Sequence, residues 1–476
     1  MIHQVSSALT AEGFLLRYQD REYRVSWPAG VWERTPEAMR LFLRDNLAYA
    51  MTMHLPMTVP GLSGLAYDSA RPLLEPWFFQ NFLRDLPSCV EMEGGSAPDE
   101  TIRFLSGDYT FTDEEIRLPP GAPAANAPAA GGTAGDAAPR AIVPMSFGKD
   151  SLLTFGLAEE LGLRPIIVYV VEPTFSNEER HKLALARAFE KETGHELLVI
   201  RHGAGALRGT EFGWGLQSTE YALLMLPFAW TTGASLILFG NEQSAGSSYP
   251  DSSGRMTVYP CYDQSHHWTR LIDRITALAT GGRVRTGSVI EPLMDMMVQR
   301  ALAHRYPRYA RYQMSCFVED GSDTVHPDSP WCHNCGICSK MYLLCVAAGI
   351  DPAAVGFRES MLTREKRGLF PLLGGSSAFP YARTTLAREE QLFAFYCAAR
   401  LGSTEELVRE FARGPLYREA RNREGELRSR FCTLYTPIST PLALRRGVER
   451  IFQDELEAYV RRYEDAGGKK GEDSRQ

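Results

Sequence analysis

The stretch AIVPMSFGKDSLLTFGLAEELG, residues 141–162, decides the fold. It opens with a mostly apolar run, passes through the polar turn SFGKDS and continues with apolar residues at the three- and four-residue spacing of a helix. This order predicts a buried strand, a tight turn and a helix that begins near Asp150 or Ser151. Because the first amides of a helix lack intrahelical partners and the helix dipole is positive at that end, the turn predicts an anion site.

The turn contains the side chains that a phosphate site needs. Gly148 lets the backbone approach a ligand closely, and Lys149 adds a positive charge. Ser146 and Ser151 offer hydroxyl groups. Asp150 either caps the helix or shares a magnesium ion with the phosphates. The spacing fits neither Gly-x-x-x-x-Gly-Lys-[Ser/Thr] nor Gly-x-Gly-x-x-Gly, so these residues alone leave an ordinary capped helix start as the alternative.

Strands and helices alternate along the region that follows. The predicted strands are RPIIVYVV (164–171), HELLVIRH (195–202) and SLILFGNE (235–242). The predicted helices are NEERHKLALARAFEKETG (177–194) and STEYALLMLPFAWTTG (218–233). This alternation indicates parallel strands with right-handed crossovers, and therefore an α/β fold with a doubly wound parallel sheet. Such sheets bind ligands beyond the carboxyl ends of their strands.

Residues 1–118 predict a smaller α+β domain. Two β-type runs, GFLLRYQ (13–19) and EYRVSW (22–27), precede a helical pattern at 36–56. Residues 119–140 are almost entirely Pro, Ala and Gly, a composition typical of a linker. We expect the first domain to complete a substrate cleft or to mediate assembly.

The rest of the chain divides into four predicted segments. Residues 141–315 form the α/β domain, and residues 316–345 form a knuckle that contains cysteines. The chain is largely helical after about residue 340, and residues 346–462 form a helical C-terminal region. The polar tail at 463–476 is expected to fray.

Composition places the chain among ordinary globular proteins. Of its 476 residues, 44% are apolar and 23% are charged, which excludes a disordered or fibrous class. The net charge of −7, without long runs of Lys or Arg, argues against a mainly electrostatic nucleic-acid binder. The N-terminus lacks the features of a signal peptide, and no apolar run approaches the ~18 residues of a membrane span. We therefore predict a cytoplasmic protein without a membrane partner and leave its oligomeric state open.

Four of the nine cysteines are spaced as metal ligands. Cys332, Cys335 and Cys338 form two consecutive Cys-x-x-Cys spacings, and Cys316 lies upstream. Four thiolates predict a closed, structural zinc site, with an iron–sulfur centre as the alternative. His333 is an alternative ligand to one thiolate. The cysteines that lie in apolar helical patterns are expected to be core residues: Cys345, Cys397 and Cys432.

Polar residues that follow the predicted strands are candidate ligand contacts. Glu172 comes directly after the strand at 164–171, close to where an adenine or ribose would lie. Glu220 opens an apolar helix and is a candidate contact for substrate or magnesium. The loop at 236–254 presents a larger group of candidates, namely Asn241, Glu242, Ser244, Ser247, Tyr249 and Asp251. Taken singly, each residue is also compatible with a structural role.

The stretch YDQSHHW supplies candidate proton carriers. These are Asp263, His266 and His267. Their chemistry alone suggests the role, and a structural role is the alternative for each.

The turn SFGKDS resembles the Ser-Gly-Gly-x-Asp-Ser loop of the PP-loop ATP pyrophosphatases. Enzymes of that superfamily cleave ATP between the α and β phosphates and adenylate an oxygen of their substrate. Phe147 departs from the pattern because it replaces the first glycine. The resemblance implies that ATP and Mg²⁺ bind at Ser146, Gly148, Lys149, Asp150 and Ser151.

The loop at 236–254 and the cysteine group resemble 7-cyano-7-deazaguanine synthase, a PP-loop enzyme with a structural zinc. This resemblance implies zinc, rather than an iron–sulfur centre, at the four cysteines. It also sets one alternative function, the adenylation of a deazapurine or of a tRNA base.

Over residues 1–460 the chain is similar to the UDP-N-acetylmuramoyl-L-alanyl-L-glutamate epimerases of peptidoglycan synthesis. The similarity is strongest at 141–357, in PMSFGKDSLL, STEYALL, FGNEQS, YDQS, IEPLMD, YQMSCF and WCHNCGICSK. It implies that the protein converts the terminal L-glutamate of UDP-MurNAc-L-Ala-L-Glu to D-glutamate while ATP becomes AMP and diphosphate. The implied adenine and substrate contacts lie near Glu172, Glu220, Asn241 and Glu242. A non-catalytic, zinc-stabilised nucleotide-binding protein is the remaining alternative.

Overall fold

A ten-stranded sheet runs through the computed structural model, which describes residues 1–92, 98–120, 138–172, 176–207, 218–251, 253–315, 331–376 and 380–473. The strands of this part of the chain are β1 (Ile2–Leu9), β2 (Gly13–Tyr18), β3 (Arg21–Ser26), β4 (Gly64–Tyr67), β5 (Asp108–Thr110), β6 (Arg140–Pro144), β7 (Arg164–Val171), β8 (Leu197–His202), β9 (Leu236–Leu238), β10 (Tyr249–Pro250), β11 (Thr257–Val258) and β12 (Arg285–Gly287). A separate antiparallel pair is formed by β10 and β11.

The order across the large sheet is β12-β9-β6-β7-β8-β3-β2-β1-β4-β5. The strands from β12 to β8 are parallel to one another. The pairs β8-β3, β3-β2 and β2-β1 are antiparallel, and β4 and β5 continue parallel to β1. The predicted α/β class with a large, mostly parallel sheet is therefore confirmed.

Helices cover the sheet and form most of the chain after residue 336. The first half of the chain contains α1 (Ala29–Trp32), α2 (Glu37–Ala50), α3 (Leu55–Thr58), α4 (Glu75–Met92), α5 (Pro98–Leu105), α6 (Lys149–Glu160), α7 (Ser176–Thr193), α8 (Ser218–Leu224) and α9 (Leu226–Thr232). The second half contains α10 (His266–Thr280), α11 (Asp295–Arg305), α12 (Pro307–Ala310), α13 (Gly336–Ala347), α14 (Thr385–Arg400), α15 (Glu406–Arg413), α16 (Pro415–Asn422), α17 (Glu424–Phe431) and α18 (Leu442–Asp473).

The parallel strands wind outward from β6 in both directions. The chain passes from β6 through α6 to β7 and through α7 to β8, and it then returns to place β9 and β12 on the other side of β6. Ala141, Ile142 and Val143 of β6 are fully buried, as expected for a parallel strand that is covered on both faces. The direction of winding changes between β6 and β9, which is where sheets of this kind bind ligands.

One predicted helix is interrupted. The stretch at 218–233 forms α8 and α9, because Pro227 lies in the first turn of α9 and cannot donate the N–H that would continue the preceding helix. None of the helices in the described ranges combines the length and the apolar character that crossing a membrane requires.

The N-terminal segment shares the sheet with the region that follows it. Strand β3 pairs with β8 through Val25 opposite His202 and Ser26 opposite Arg201. The Trp27 indole Nε1 donates to the Leu224 carbonyl oxygen at 2.9 Å, so the two parts also meet through a buried hydrogen bond. The predicted domain boundaries stay a prediction, and most of the predicted linker at 119–140 lies outside the described residues.

The C-terminal helices pack around α13 and α14. The apolar core that includes the β6 and α6 side chains continues through these helices and into α18. Helix α18 runs to Asp473, across most of the tail that was expected to fray. The C-terminal region is thus built against the parallel part of the sheet, next to the carboxyl ends of its strands.

Candidate functional site

Polar residues gather where three neighbouring parallel strands end. The turn at 145–149 follows β6, Asn241 and Glu242 follow β9, and residues 288–295 follow β12. Because β12, β9 and β6 are adjacent and parallel, these three segments lie at the same edge of the sheet. The turn after β6 and the loop after β9 flank the change in winding direction.

The turn after β6 is closed by its own serines. The backbone N–H of Ser146 donates to Ser151 Oγ at 3.2 Å, and Ser151 Oγ donates to the Gly148 carbonyl oxygen at 3.1 Å. The two serine hydroxyls lie 3.3 Å apart. Helix α6 then begins at Lys149, so its first amides face the edge of the sheet where the strands end. A Cβ on Gly240 would lie 2.8 Å from the Asp150 backbone, which shows how closely the end of β9 approaches this turn.

Phe147 adopts the left-handed conformation that glycine favours, with φ of +58°. Its side chain is fully buried and makes edge contacts with Tyr169 and Phe189. The backbone of the turn is therefore compatible with the glycine of the PP-loop pattern, while the phenyl ring fills the core behind the turn.

Lys149 connects two of the three segments. Its Nζ lies 2.6 Å from Asp150 Oδ1 and 2.5 Å from Asp295 Oδ1. Burial alone would lower the pKa of Lys149, but Asp150 and Asp295 raise it above its ordinary value. Lys149 is therefore a buried ammonium group, and Asp295 reaches it from the first residue of α11, beyond β12.

The C-terminal helices add further charges to the same place. Lys340 of α13 pairs with Asp295 Oδ2, and its Nζ lies 3.7 Å from Glu390 Oε2 of α14. The same Nζ lies 4.3 Å from the centre of the Tyr381 ring, and the Tyr381 hydroxyl donates to Glu390 Oε2 at 3.2 Å. A continuous chain of charged groups thus runs from the turn after β6 to α14. We call the following residues the charged centre: Lys149, Asp150, Glu242, Asp295, Lys340 and Glu390.

Carboxyl groups outnumber ammonium groups in the charged centre by four to two. Burial and the charge of Asp295 raise the pKa of Glu242 to about 8, against the opposing effect of Lys149. Burial also raises the pKa of Glu390 to about 7, although Lys340 lowers it. For Asp295, burial would raise the pKa, but Lys149 and Lys340 hold it below its ordinary value. The surplus of carboxyl oxygens suits a bound divalent cation, since Mg²⁺ prefers oxygen ligands.

The loop after β9 holds its polar residues in different ways. Glu242 Oε2 accepts hydrogen bonds at 2.5 Å from both the backbone N–H and the hydroxyl of Ser244. Asn241 is buried, its Nδ2 donates to Thr269 Oγ1 at 2.8 Å, and its backbone is bonded to Ser288. Asp295 and Lys149 both act on the pKa of Glu242, so its carboxyl group lies near them, whereas the Asn241 side chain ties the loop to α10.

Glu172 and Glu220 belong to a second buried cluster, at the ends of β7 and β8. His202 Nδ1 accepts from the backbone N–H of Gly205 at 3.2 Å, so its Nε2 carries the proton and donates to Glu220 Oε1 at 2.5 Å. The Tyr221 hydroxyl donates to Glu172 Oε1. The ligand atoms of Glu172, His202 and Glu220 lie within 4.8 Å of one another, a spacing that a metal ion would fit. In the present arrangement His202 is a hydrogen-bond donor to Glu220.

The candidate proton carriers divide between two positions. Asp263 lies beside the buried thiol of Cys261, whose pKa is raised first by burial and next by Asp263. His266 and His267 open α10 with their rings 4.1 Å apart, and His267 is exposed. Burial and the neighbouring His266 lower the pKa of His267. Lys340, Glu242 and Asp295 also act on the pKa of Cys261, so this thiol lies near the charged centre, and a proton-carrying role for Asp263, His266 or His267 stays a prediction.

Asp251 serves the hairpin of β10 and β11. Its Oδ1 accepts from the backbone N–H groups of Met256 and Arg255 at 2.8 Å each, and its Oδ2 accepts from the Ser253 hydroxyl at 2.5 Å. The bond from Met256, followed by that from Ser253, lowers the pKa of Asp251 to about 2. Tyr249 lies on β10 of the same hairpin, half-buried. The structure places both residues in this hairpin, and their predicted contact with substrate stays a prediction.

Three cysteines lie together at the start of α13. The sulfur atoms of Cys332, Cys335 and Cys338 lie within 4.8 Å of one another, and those of Cys332 and Cys338 are 3.6 Å apart. This cluster fits a metal ion, consistent with zinc. Cys316, the fourth predicted ligand, lies outside the described residues. His333 Nε2 accepts from the backbone N–H of Arg358 at 3.1 Å, so this nitrogen is engaged with the following loop.

The sequence did not indicate several residues of the site. Asp295 and Lys340 end the motifs IEPLMD and WCHNCGICSK, but no local pattern shows that they meet Lys149. Glu390 and Tyr381 lie in a helical region without any motif. Comparisons of the chain with protein-family models and with curated proteins find no match. The class of protein is therefore a proposal, drawn from the site together with the sequence resemblance.

Proposed function

We propose that the protein cleaves ATP between the α and β phosphates and uses the adenylate to epimerise the terminal L-glutamate of UDP-MurNAc-L-Ala-L-Glu. The observation that carries the proposal is the Lys149 ammonium group, buried between Asp150 and Asp295 at the first turn of α6. A positive charge, free helix amides and a surplus of carboxyl groups in one place suit a nucleotide triphosphate with its metal ion.

The phosphate groups would bind at the turn after β6. The amides at the start of α6 and the Lys149 ammonium group supply positive charge, and the hydroxyls of Ser146 and Ser151 supply hydrogen bonds. Asp150 and Glu242 would hold Mg²⁺, which neutralises charge as diphosphate leaves. The raised pKa of Glu242 supports this role, because a cation would relieve the repulsion among the neighbouring carboxyl groups.

An epimerase has a chemical reason to consume ATP. The α-hydrogen beside a carboxylate is weakly acidic, because its removal adds a second negative charge next to that of the carboxylate. When the carboxylate oxygen bonds to the α-phosphorus, the bond from that phosphorus to the leaving diphosphate breaks. The resulting acyl adenylate has lost the carboxylate charge, so a side-chain base can remove the α-proton and a proton can return to the other face.

A product assay tests this proposal. The purified protein is incubated with ATP, Mg²⁺ and UDP-MurNAc-L-Ala-L-Glu, and AMP and the configuration of the glutamate are measured. We expect AMP together with a D-glutamyl product, and no AMP release from Lys149→Met. The matched control is the variant Lys191→Met, which should retain full activity because Lys191 is exposed on α7. AMP without inversion contradicts the epimerase, and AMP release that requires a deazapurine or tRNA instead supports the alternative acceptor.

A further inference from the structure

A cavity of about 350 Å³ lies between α13 and α14, next to the charged centre. Its walls are mostly apolar and include Ile337, Leu344 and Leu372. Its polar lining includes Lys340 and Glu390 of the charged centre, together with Tyr381, Arg383 and Arg388. The cavity therefore combines an apolar wall, an acid and basic groups in the volume range of small-ligand sites.

Glu390 has one carboxylate oxygen that the protein does not use. Its side chain is only 3% exposed. Oε2 accepts from the Tyr381 hydroxyl at 3.2 Å and lies 3.7 Å from Lys340 Nζ. Oε1 is buried and finds no hydrogen-bond donor among the residues that the structure describes. A buried oxygen without a partner is costly, and because Glu390 is one of the residues that line the cavity, a ligand bound there could supply the missing hydrogen bond.

The cavity is connected to the proposed ATP site by direct contacts. Lys340 contacts Glu390 on the side of the cavity and Asp295 on the side of the charged centre. Asp295 in turn contacts Lys149. If the substrate carboxylate is held at the α-phosphate of ATP, the part of the substrate attached to that carboxylate could therefore extend into the cavity beside Glu390.

We propose that this cavity binds the peptidyl end of the acceptor and that Glu390 is the base that removes the α-proton. The inference rests on the proposed function. Oε1 of Glu390 takes the proton, and the electron pair of the C–H bond moves into the enolate of the acyl adenylate. A water molecule then donates a proton to the opposite face of the α-carbon, and the hydroxide that remains takes the proton held by Glu390. Finally, a water oxygen bonds to the carbonyl carbon, and AMP leaves with the electron pair of the broken C–O bond.

The surroundings of Glu390 suit this role. Burial raises its pKa to about 7, so the carboxyl group can both accept and release a proton near neutral pH. Tyr381 and Lys340 hold Oε2, which leaves Oε1 for the substrate. The neighbouring Glu389 offers a matched control, because it is buried on the same helix but pairs with Arg423 and Arg430.

The experiment separates adenylation from proton transfer. Wild-type protein, Glu390→Gln and Glu389→Gln are each incubated in D₂O with ATP, Mg²⁺ and UDP-MurNAc-L-Ala-L-Glu. AMP release, inversion and deuterium at the α-carbon are measured in the same samples. We expect Glu390→Gln to retain AMP release while inversion and deuterium incorporation fall by about 10²–10⁴-fold. We expect Glu389→Gln to behave as wild type in all three measurements.

Two results would overturn the assignment of Glu390. The first is deuterium incorporation by Glu390→Gln at the wild-type rate. The second is an equal loss of AMP release and of inversion, which would place Glu390 in support of the phosphate site. If the wild-type protein itself releases AMP without inversion or deuterium incorporation, the proposed function fails, and the inference fails with it. If both the wild-type protein and Glu390→Gln invert glutamate, only the assignment of Glu390 fails, and the proposed function stands.

Discussion

Phe147 combines an unfavourable backbone conformation with a favourable side-chain position. A left-handed conformation costs a non-glycine residue about 1–2 kcal/mol. A phenyl ring as deeply buried as that of Phe147 contributes more than this, because truncating a core Phe to Ala costs about 3–5 kcal/mol. Stability therefore favours Phe over Gly at this position, even though Gly suits the backbone better.

Substitution of Phe147 by Gly and by Ala should reveal the backbone cost. Both variants lose the ring, but only Phe147→Ala retains the strained conformation, so Phe147→Gly should be more stable by about 1–2 kcal/mol. Urea unfolding measures this difference. At Phe155, buried in the interior of α6, the same two substitutions should give the opposite order by about 1 kcal/mol. Equal stability of the two Phe147 variants would show that the left-handed conformation at this position carries no backbone cost.

Asp295 should be among the most sensitive side chains of the charged centre. Asp295→Asn leaves Lys149 and Lys340 without their shared carboxylate, and breaking a buried pair in this way costs about 3–5 kcal/mol. Glu22→Gln, at an exposed pair with Arg17, should cost less than about 1 kcal/mol. Denaturant unfolding at pH 7 compares the free energies of unfolding of the two variants. A loss for Asp295→Asn as small as that for Glu22→Gln would contradict the pairing of Asp295 with Lys149 and Lys340.

The pH dependence of the Asp295 contribution has a definite sign. The folded protein holds the pKa of Asp295 below its ordinary value. The stability that its charge contributes is therefore fully present above the unfolded pKa of about 4 and is lost as the pH falls through the lowered value. The difference in unfolding free energy between wild type and Asp295→Asn should accordingly narrow below about pH 4, and denaturant unfolding at a series of pH values measures it. Between pH 5 and pH 8 the difference also follows Glu242 and Glu390, because Asp295 raises the pKa of both groups.

Helix α13 joins the cluster of Cys332, Cys335 and Cys338 to the charged centre. Its N-cap is Cys335, it contains Cys338, and Lys340 follows only two residues later. A zinc ion bound to the cysteines would fix the start of this helix and, with it, the position of the Lys340 ammonium group. The cysteine cluster would then position Lys340 without taking part in the reaction itself.

Removal of a cysteine from the cluster should therefore affect both metal content and activity. Cys338→Ser should lose bound zinc and lower AMP release by about 10²-fold, because a displaced Lys340 no longer holds Asp295. Elemental analysis gives the zinc content, and the product assay gives the activity. Cys345→Ala is the control, since Cys345 is buried on the same helix outside the cluster. Full activity of a zinc-free Cys338→Ser protein would contradict this role of α13.

In the whole molecule, one core includes the N-terminal segment and the parallel part of the sheet. Val25 and Trp27 belong to the same buried cluster as Ile142, Val168 and Ile200. The ladder between β3 and β8 is short, so the packed side chains, rather than the backbone hydrogen bonds, hold the two parts together.

This shared core predicts a single unfolding transition. Trp27→Ala removes a ring with 3% exposure and the hydrogen bond to Leu224, at a cost of about 3–5 kcal/mol. We expect far-UV circular dichroism and zinc release to shift together to lower denaturant concentration in this variant. Two separate transitions, with only the first one shifted, would show that the N-terminal segment unfolds independently.

The sequence predicts the parallel part of the fold well because its signals are local. The apolar run before Ser146 and the helical spacing after it predict β6 and α6, and their bounds agree within a residue or two. The ladder between β3 and β8 could not be predicted, since it joins residues that are far apart in the chain. The same limit applies to the charged centre, where Lys149 meets Asp295 and Lys340 through tertiary packing. In the sequence, Lys149, Asp295 and Lys340 look like ordinary surface charges, and only their contacts in the folded protein show that they form one site.

In the proposed reaction, the charged centre joins a substrate carboxylate to the α-phosphorus of ATP. UDP-MurNAc-L-Ala-L-Glu with ¹⁸O in the glutamyl carboxylates tests this step, with mass spectrometry of the nucleotide as the readout. Acyl-adenylate formation and hydrolysis at the carbonyl carbon should transfer a labelled oxygen to AMP in the wild type, and Lys149→Met should form no labelled AMP. Unlabelled AMP, or ADP and phosphate in its place, would contradict the account.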